Sequence, residues 1–381
     1  MPKSLLDLPV PAPSFWVKRE WDRADIVVVG AGLVGLLTSI RLKEKFPRRS
    51  VWVLDQKSHF FAASWRNAGF ACYGSAGELL DEAKRSSLDS AYRLYERRFR
   101  GLHALRQEFG DAALGFESSG GWEMFPTQEE AHKVVDQLES LNQDLHAIAG
   151  QFPFQPKAAK SLGMNFADTA IFAAQEGAIQ THLMMRSLRQ KALSMGVELY
   201  EGVHVHALEA EGIYWRLNLA LGWDIKAKSV FLCSNAYSSW LQDSLDVQAA
   251  RGQVLVTSPI PDLPFRGIFH ADEGYLYWRS LGTRLLIGGG RNQDFSGEHT
   301  FESQTSAPIQ AHLMRMLREH IVPGKEFEIE SQWAGIMAMA ESREPIVKTI
   351  APGLLAGVRM GGMGVALGAD VAVQLAGLLE P

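Results

Sequence analysis

The run DIVVVGAGLVG, residues 25–35, leaves little choice to the fold around it. Asp25 to Val29 is a short apolar stretch suited to a buried strand, and Leu33 to Lys45 carries apolar residues at helical spacing. Between them Gly30, Gly32 and Gly35 spell G-x-G-x-x-G. The first glycine permits a tight turn, the second lets a pyrophosphate approach the backbone, and the third lets helix pack on strand. The N-terminus of that helix then faces the phosphate charge. A second apolar run, Val51 to Leu54, ends at Asp55, an acid placed to accept hydrogen bonds from a ribose diol. Pro47 stops the helix between the two runs. The first fifty-odd residues therefore predict a βαβ unit with a right-handed crossover, built for a dinucleotide.

Bulk properties bound the rest. At 381 residues the chain suits one large α/β unit or two intimately shared domains. A formal net charge of −5 gives no electrostatic reason to expect a nucleic-acid partner. Two cysteines, Cys72 and Cys233, are too few and too far apart for a disulfide framework or a zinc site, and a reducing cytoplasm is the expected compartment. Prolines interrupt the amino-terminal MPKSLLDLPVPAPSFWVKREW where a signal peptide needs an apolar run, and no stretch reaches the roughly 18 apolar residues of a membrane span. The aromatic residues of SFWVKREW are expected to pack on their own domain rather than on a membrane surface.

Further along, the charge-rich segment from Glu78 to Gly110 predicts one long or broken amphipathic helix, read as an insertion on the dinucleotide domain, and Glu129 to Ala149 predicts a second helical stretch with a solvated charged face. From Gly196 to Asn235 alternating runs separated by Gly or acidic turns predict strands, and RGQVLVTS, GYLYWRS and TRLLIGGG continue them. Together they are expected to form a largely antiparallel sheet, a suitable wall for a substrate cavity beside a parallel nucleotide sheet. The closing segment GLLAGVRMGGMGVALGADVAVQLAGLL predicts a strand, a glycine turn and an apolar helix.

G-x-G-x-x-G does not separate NAD from FAD. Ser64, Arg66, Asn67, Ala68 and Gly69, in SWRNAG, resemble the segment that crosses the flavin ring in the D-amino acid oxidase-like superfamily, which includes glycine oxidase, sarcosine oxidase and D-amino acid dehydrogenase. The resemblance continues almost end to end: Val205 in GVELYEGVHVHALE matches the family's adenine-side valine, and Cys233, Ser234 and Asn235 in VFLCSNAYSSWL match the strand-and-turn element that follows. WAGIMAMAESREPIV is similar to another family segment, and Gly361, Gly362, Met363, Gly364 and Val365 to the C-terminal turn and helix beside the flavin. The resemblance implies an α/β architecture, in which an FAD-binding Rossmann-like domain of glutathione reductase type is interleaved with a substrate domain of mainly antiparallel sheet plus helices. The expected FAD domain covers residues 22–110, 170–250 and 335–381, and the substrate domain residues 111–169 and 251–334. Asp55 and Gln56 join the implied cofactor residues. The implied reaction moves a hydride from the carbon bearing an amine to flavin N5, the imine hydrolyses, and oxygen or another carrier takes the electrons. The implied partner is a small-molecule amine or amino acid.

Two departures from the family pattern concern substrate and acceptor. Glycine oxidase holds the substrate carboxylate with an arginine where this chain has Met337, and a methionine offers no guanidinium fork. Arg291 and Arg343 fall on segments that reach the substrate side in the family, as does Tyr275, whereas Arg359 precedes the C-terminal turn. Leu286 stands where sarcosine oxidases carry a lysine over the flavin, which leaves oxidase and dehydrogenase both open, and no cysteine near WAGIMAM matches the one that bonds flavin there, so FAD is expected to be non-covalent. Cys72 reads as a small buried residue, and His182, His204, His206 and His270 as structural, with no metal-ligand spacing among them. The alternative to an amine oxidoreductase is a flavin-binding subunit without turnover of its own.

Overall fold

The computed structural model describes residues 13–57 and 61–380. The proline-rich reading of residues 1–12 and the short stretch 58–60 lie outside the described residues.

Two eight-stranded sheets organise the molecule. The first is built on Arg23–Val29, which pairs in parallel with Val51–Asp55 on one side and with Asp224–Leu232 on the other. Glu198–Glu201 and Leu354–Val358 extend the parallel set, and Ile346–Ala351 adds an antiparallel edge. The DIVVV run is apolar throughout because both faces of this strand are covered. Ile26 and Val28 face one core, with the helix Leu33–Lys45, while Val27 and Val29 face another, with Trp52 and Leu54. Val205–Glu211 and Tyr214–Leu219 form an antiparallel pair on Asp224–Leu232 and close that second face.

The strands from Glu198 to Leu232 thus belong to the first sheet, not to the antiparallel wall in which alternation alone had grouped them. Alternation reports a half-buried strand but is silent on its neighbour.

The second sheet runs in the order Ile329–Met339, Gln248–Thr257, Arg284–Gly289, Leu276–Leu281, Ile268–Ala271, Gly121–Glu123, Thr169–Ala173, Gln155–Ala158. It is antiparallel except where Ile268–Ala271 meets Gly121–Glu123. This sheet draws its strands from residues 121–173 and 248–339.

The long charged segment is broken into Ala76–Arg85 and Leu88–Phe109, with Ser75 and Ser87 as N-caps whose side chains accept from Glu78 and Ser90 N–H groups. Gly110 ends the second helix. Leu88–Phe109 is no peripheral insertion: it packs on the closing helix Gly364–Gly377 so closely that a β-carbon at Gly101 would lie 2.1 Å from the Ala366 carbonyl oxygen. The stretch 129–149 is likewise two helices, Gln128–Val135 and Leu138–Ala149. At the amino-terminal end Trp21 packs against Trp52 and Tyr200, as expected, but Phe15 and Trp16 are 67% and 69% exposed. No helix among the described residues is long and apolar enough to cross a membrane.

Candidate active site

Gly30 ends the first strand with φ of +111°, a conformation that disfavours any residue with a β-carbon, and such a carbon would lie 2.7 Å from the Cys233 carbonyl oxygen. A β-carbon at Gly35 would fall 1.8 Å from the Gly30 carbonyl oxygen. The two glycines mark where the turn, the helix Leu33–Lys45 and the end of Asp224–Leu232 come together. Asp55 braces the turn from the next strand: its Oδ2 accepts from the Ala31 N–H at 2.8 Å and its Oδ1 from the Lys57 N–H at 3.1 Å. Burial pushes its pKa up, against the pull of those two bonds. Each carboxylate oxygen retains acceptor capacity for a diol.

The SWRNAG loop is held from several directions. The Ser64 hydroxyl accepts from the Leu33 N–H at 2.9 Å and so tethers the loop to the start of the helix. Asn67 donates to the Ser64 carbonyl and accepts from the Gly69 N–H, fixing its curvature. From the second sheet, Trp333 Nε1 donates to the Arg66 carbonyl at 2.8 Å, and Arg66 donates back to the Ala334 carbonyl at 2.7 Å. Arg279, 2% exposed, donates to the carbonyls of Ala68, Gly69 and Ile179. Neither Arg279 nor Trp333 was singled out by sequence reasoning; an arginine and a tryptophan on a strand carry no local mark of this duty.

A cavity of about 590 Å³ lies between these elements and the second sheet. Gly30, Gly32, Asp55, Gln56, Ser64, Arg66, Asn67 and Ala68 line it, as do Val205, Cys233, Ser234, Asn235 and the turn Gly361 to Val365. Gly35 and Gly69 do not. Gly35 serves helix packing, and Gly69, with φ of +74°, lends its backbone to the Arg279 and Asn67 contacts. Asn235 sits at φ of +54° on the cavity wall, and its buried Oδ1 has no hydrogen-bond partner among the described residues. The closing helix begins at Gly364 on the same wall. Arg359 lies off it and is consumed by the Asp246 carboxylate at 2.7 Å and the Glu344 carbonyl at 2.9 Å.

The structure brings Met337, Tyr275, Arg291 and Arg343 to the same cavity, with Met337 and Arg343 beside the turn at Gly361 and Gly362. Their surroundings differ. Arg291 rests 5.6 Å from the Tyr275 ring centroid and 4.9 Å from that of Phe295, with no carboxylate partner among the described residues. Arg343 is already engaged by Asp81 at 2.9 Å and Glu82 at 3.4 Å, which leaves it a poor anchor for a second anion. Leu286 is buried with Val254 and Val256 and does not line the cavity. Nor does His182, whereas His204, His206 and His270 do. Cys72 also lines it, but burial raises its thiol pKa well above the ordinary range, so it offers no thiolate.

Glu78, Arg98 and Glu273 also line the cavity, and sequence reasoning missed them. Burial works against the Glu78 carboxylate, but Arg98 at 2.9 Å and Arg343 bring its pKa below the usual value. His270 is held neutral, its pKa lowered to about 4 by burial despite the nearby Glu78 charge. Glu273 stands at φ of +52° beside Asp272 at +53°, two consecutive left-handed non-glycine residues in the turn that delivers Tyr275. Behind the wall, Glu123 and Glu176 are driven by burial to about 7 and about 8.

The family model for FAD-dependent oxidoreductases of the DAO type matches residues 25–378. A probable oxidoreductase, OrdL, of Haemophilus influenzae is 22% identical over 365 residues, covering 91% of this chain and 80% of that protein. Among solved structures, L-proline dehydrogenase from P. horikoshii superposes with a TM-score of 0.76 at 15% identity, covering 94% of this chain and 93% of that one. Glycine oxidase from Geobacillus kaustophilus gives 0.73 at 22% identity, with 94% of each chain covered. These likenesses establish a shared fold.

Proposed function

Because the chain belongs to the DAO family of FAD-dependent oxidoreductases, we propose that it binds FAD non-covalently in this cavity and oxidises the C–N bond of an amine or amino acid. The observation that carries the reading is the continuity of one cavity from the glycine turn and Asp55 to Tyr275, Arg291 and Met337. The site suits the cofactor: the turn at Gly30 has no room for a side chain, and Asn235 holds a buried oxygen that has no hydrogen-bond partner among the described residues.

In this reading the backbone around Gly30 and Gly32, with the start of the following helix, holds the pyrophosphate, Asp55 the ribose, and Val205 the adenine side. The SWRNAG loop and the turn at Gly361 enclose the flavin, and the N-terminus of Gly364–Gly377 stabilises negative charge that develops beside it. Bound FAD supplies the acceptor for the hydride that leaves the carbon bearing the amine. Arg291 and Tyr275 orient the substrate, while Met337 and Tyr277 keep water from the reacting carbon. By the same reading residues 22–110, 170–250 and 335–381 make up the FAD domain, and 111–169 with 251–334 the substrate domain.

Purified protein is expected to be yellow and to release its flavin on denaturation. Anaerobic addition of amines and of D- and L-amino acids is expected to bleach the flavin band with at least one of them. Arg291→Ala is expected to retain FAD while weakening the binding of carboxylate-bearing substrates at least tenfold. Full flavin occupancy with no bleaching by any amine would overturn the proposal and favour a flavin-binding subunit without turnover.

A further inference from the structure

Tyr277 is a tyrosine at a place where packing asks only for a ring. It lies in the strand Leu276–Leu281, whose Leu276 and Trp278 point into the core of the second sheet, so alternation turns Tyr277 to the other face, where it lines the cavity. The ring is fixed from several sides. Its cross-strand partner is Gly288, and a β-carbon there would lie 2.5 Å from Tyr277 Cε2 and 2.6 Å from Cζ, so the bare glycine makes the space that the ring tip fills. Phe70 meets the ring edge-on, with centroids 5.4 Å apart, and Ala68 packs beside it against Val254, Val256 and Leu286. Ala68 and Phe70 flank Gly69 at the end of the SWRNAG loop, so Tyr277 stands next to the segment that encloses the flavin in the proposed reading.

All these contacts are made by carbon, and a phenylalanine would make them equally well. The hydroxyl is left over: it makes no hydrogen bond among the described residues, and none to His270, the partner on its other side. A buried tyrosine ordinarily gives its hydroxyl a partner, and here the one space open to it is the cavity that the residue lines. Tyr275 is differently placed. It follows the strained 272–274 turn, and its ring is already taken up by Phe295 and Arg291.

We propose that Tyr277 is a catalytic residue whose hydroxyl oxygen accepts a hydrogen bond from the N–H of the amine that is oxidised. This rests on the amine-oxidising reading above and adds to it the group that orients the reacting nitrogen. As the hydride leaves the neighbouring carbon, the nitrogen lone pair forms the C=N bond. A contact made through N–H leaves that pair free, whereas a donor aimed at the lone pair would hold it back. Burial pushes the phenol up to about 12, so it does not take the proton that an ammonium must shed; that proton passes to water.

Tyr277→Phe keeps the ring and removes only the oxygen, and the test compares it with the parent, both FAD-loaded. Anaerobic stopped flow measures reduction by sarcosine, butylamine and both enantiomers of alanine and proline. For each compound that reduces the parent, the rate at saturation is expected to fall at least tenfold in the variant, with FAD affinity and the urea midpoint unchanged. Titration calorimetry measures binding of 2-aminoisobutyrate, which has no hydrogen on the carbon bearing the amine, and of 2,2-dimethylpropanoate, which has a methyl group in the amine's place. The variant is expected to bind the first at least threefold more weakly and the second within twofold of the parent. An unchanged reduction rate, or equal effects on the two ligands, would overturn the assignment. So would a tenfold loss of FAD affinity, which would give the hydroxyl to the cofactor. Selective weakening of 2-aminoisobutyrate, when no amine reduces the parent, would uphold the contact and overturn amine oxidation alone.

Discussion

Glu176 is a buried carboxyl group whose environment sets a measurable pH dependence. It is 1% exposed, its Oε1 accepts from the Tyr73 N–H at 2.8 Å, and its Oε2 makes no hydrogen bond among the described residues. Burial, helped by the charges of Glu78 and Glu123, raises its pKa to about 8 against an ordinary 4.5. A carboxyl group raised in the folded state contributes stability that is complete below the unfolded pKa and is lost as pH rises through the folded one. The loss therefore runs from about pH 4.5 to about pH 8. At roughly 1.4 kcal/mol per unit, levelling off near the folded pKa, it comes to roughly 2–3 kcal/mol between pH 6 and pH 9. Glutamine has nearly the same shape, keeps an acceptor for the Tyr73 N–H and does not ionise. Equilibrium urea unfolding of the FAD-loaded protein, followed by tryptophan fluorescence, is expected to show a steep loss of stability over this range in the parent. In Glu176→Gln that loss is expected to shrink by roughly 2–3 kcal/mol, leaving the part due to Glu123. A variant whose pH profile runs parallel to the parent's would refute the reasoning.

Two further substitutions test how the cofactor cradle is built. Gly35→Ala places a methyl group 1.8 Å from the Gly30 carbonyl oxygen, so the helix must move off the strand; unfolding free energy is expected to fall by about 1–3 kcal/mol, with weaker FAD retention on gel filtration. Arg279→Met keeps bulk on the strand but removes the arginine donor from the carbonyls of Ala68, Gly69 and Ile179, of which Gly69 alone keeps a backbone donor, the Ile179 N–H at 2.8 Å. A cost of about 1–3 kcal/mol for each carbonyl left dry is expected, with faster proteolysis of the SWRNAG loop, whereas unchanged FAD affinity and cleavage would remove Arg279 from the clamp.

The parts of this molecule that were legible in its sequence are those whose partner is backbone a few residues away. The glycine turn, the strand before it and the helix after it follow from steric limits on φ and from apolar spacing, and those limits operate locally. The closing turn with its helix is legible for the same reason. Ser64 was found by resemblance, yet its hydroxyl tethers the loop to the Leu33 N–H, a contact that local pattern does not announce. The strands from Glu198 to Leu232 were visible as strands, but pairing brings together residues from distant parts of the chain: Val29 meets Leu232 and Leu54 meets Tyr200.

Charge was the least legible property, and the two arginines offered for substrate binding show why. Arg291 and Arg343 have the same chemistry, and each follows a strand-forming segment. What separates them is a helix some 260 residues earlier in the chain, whose Asp81 and Glu82 occupy Arg343 while Arg291 faces only aromatic rings. The pattern of that helix identifies an amphipathic element and leaves its charges looking like a solvated face. Only the fold turns Glu78 toward the cavity and sets it against Arg98. A guanidinium binds a ligand only with the charge its neighbours leave it, so in the proposed reading Arg291, rather than Arg343, is the arginine that holds a substrate anion.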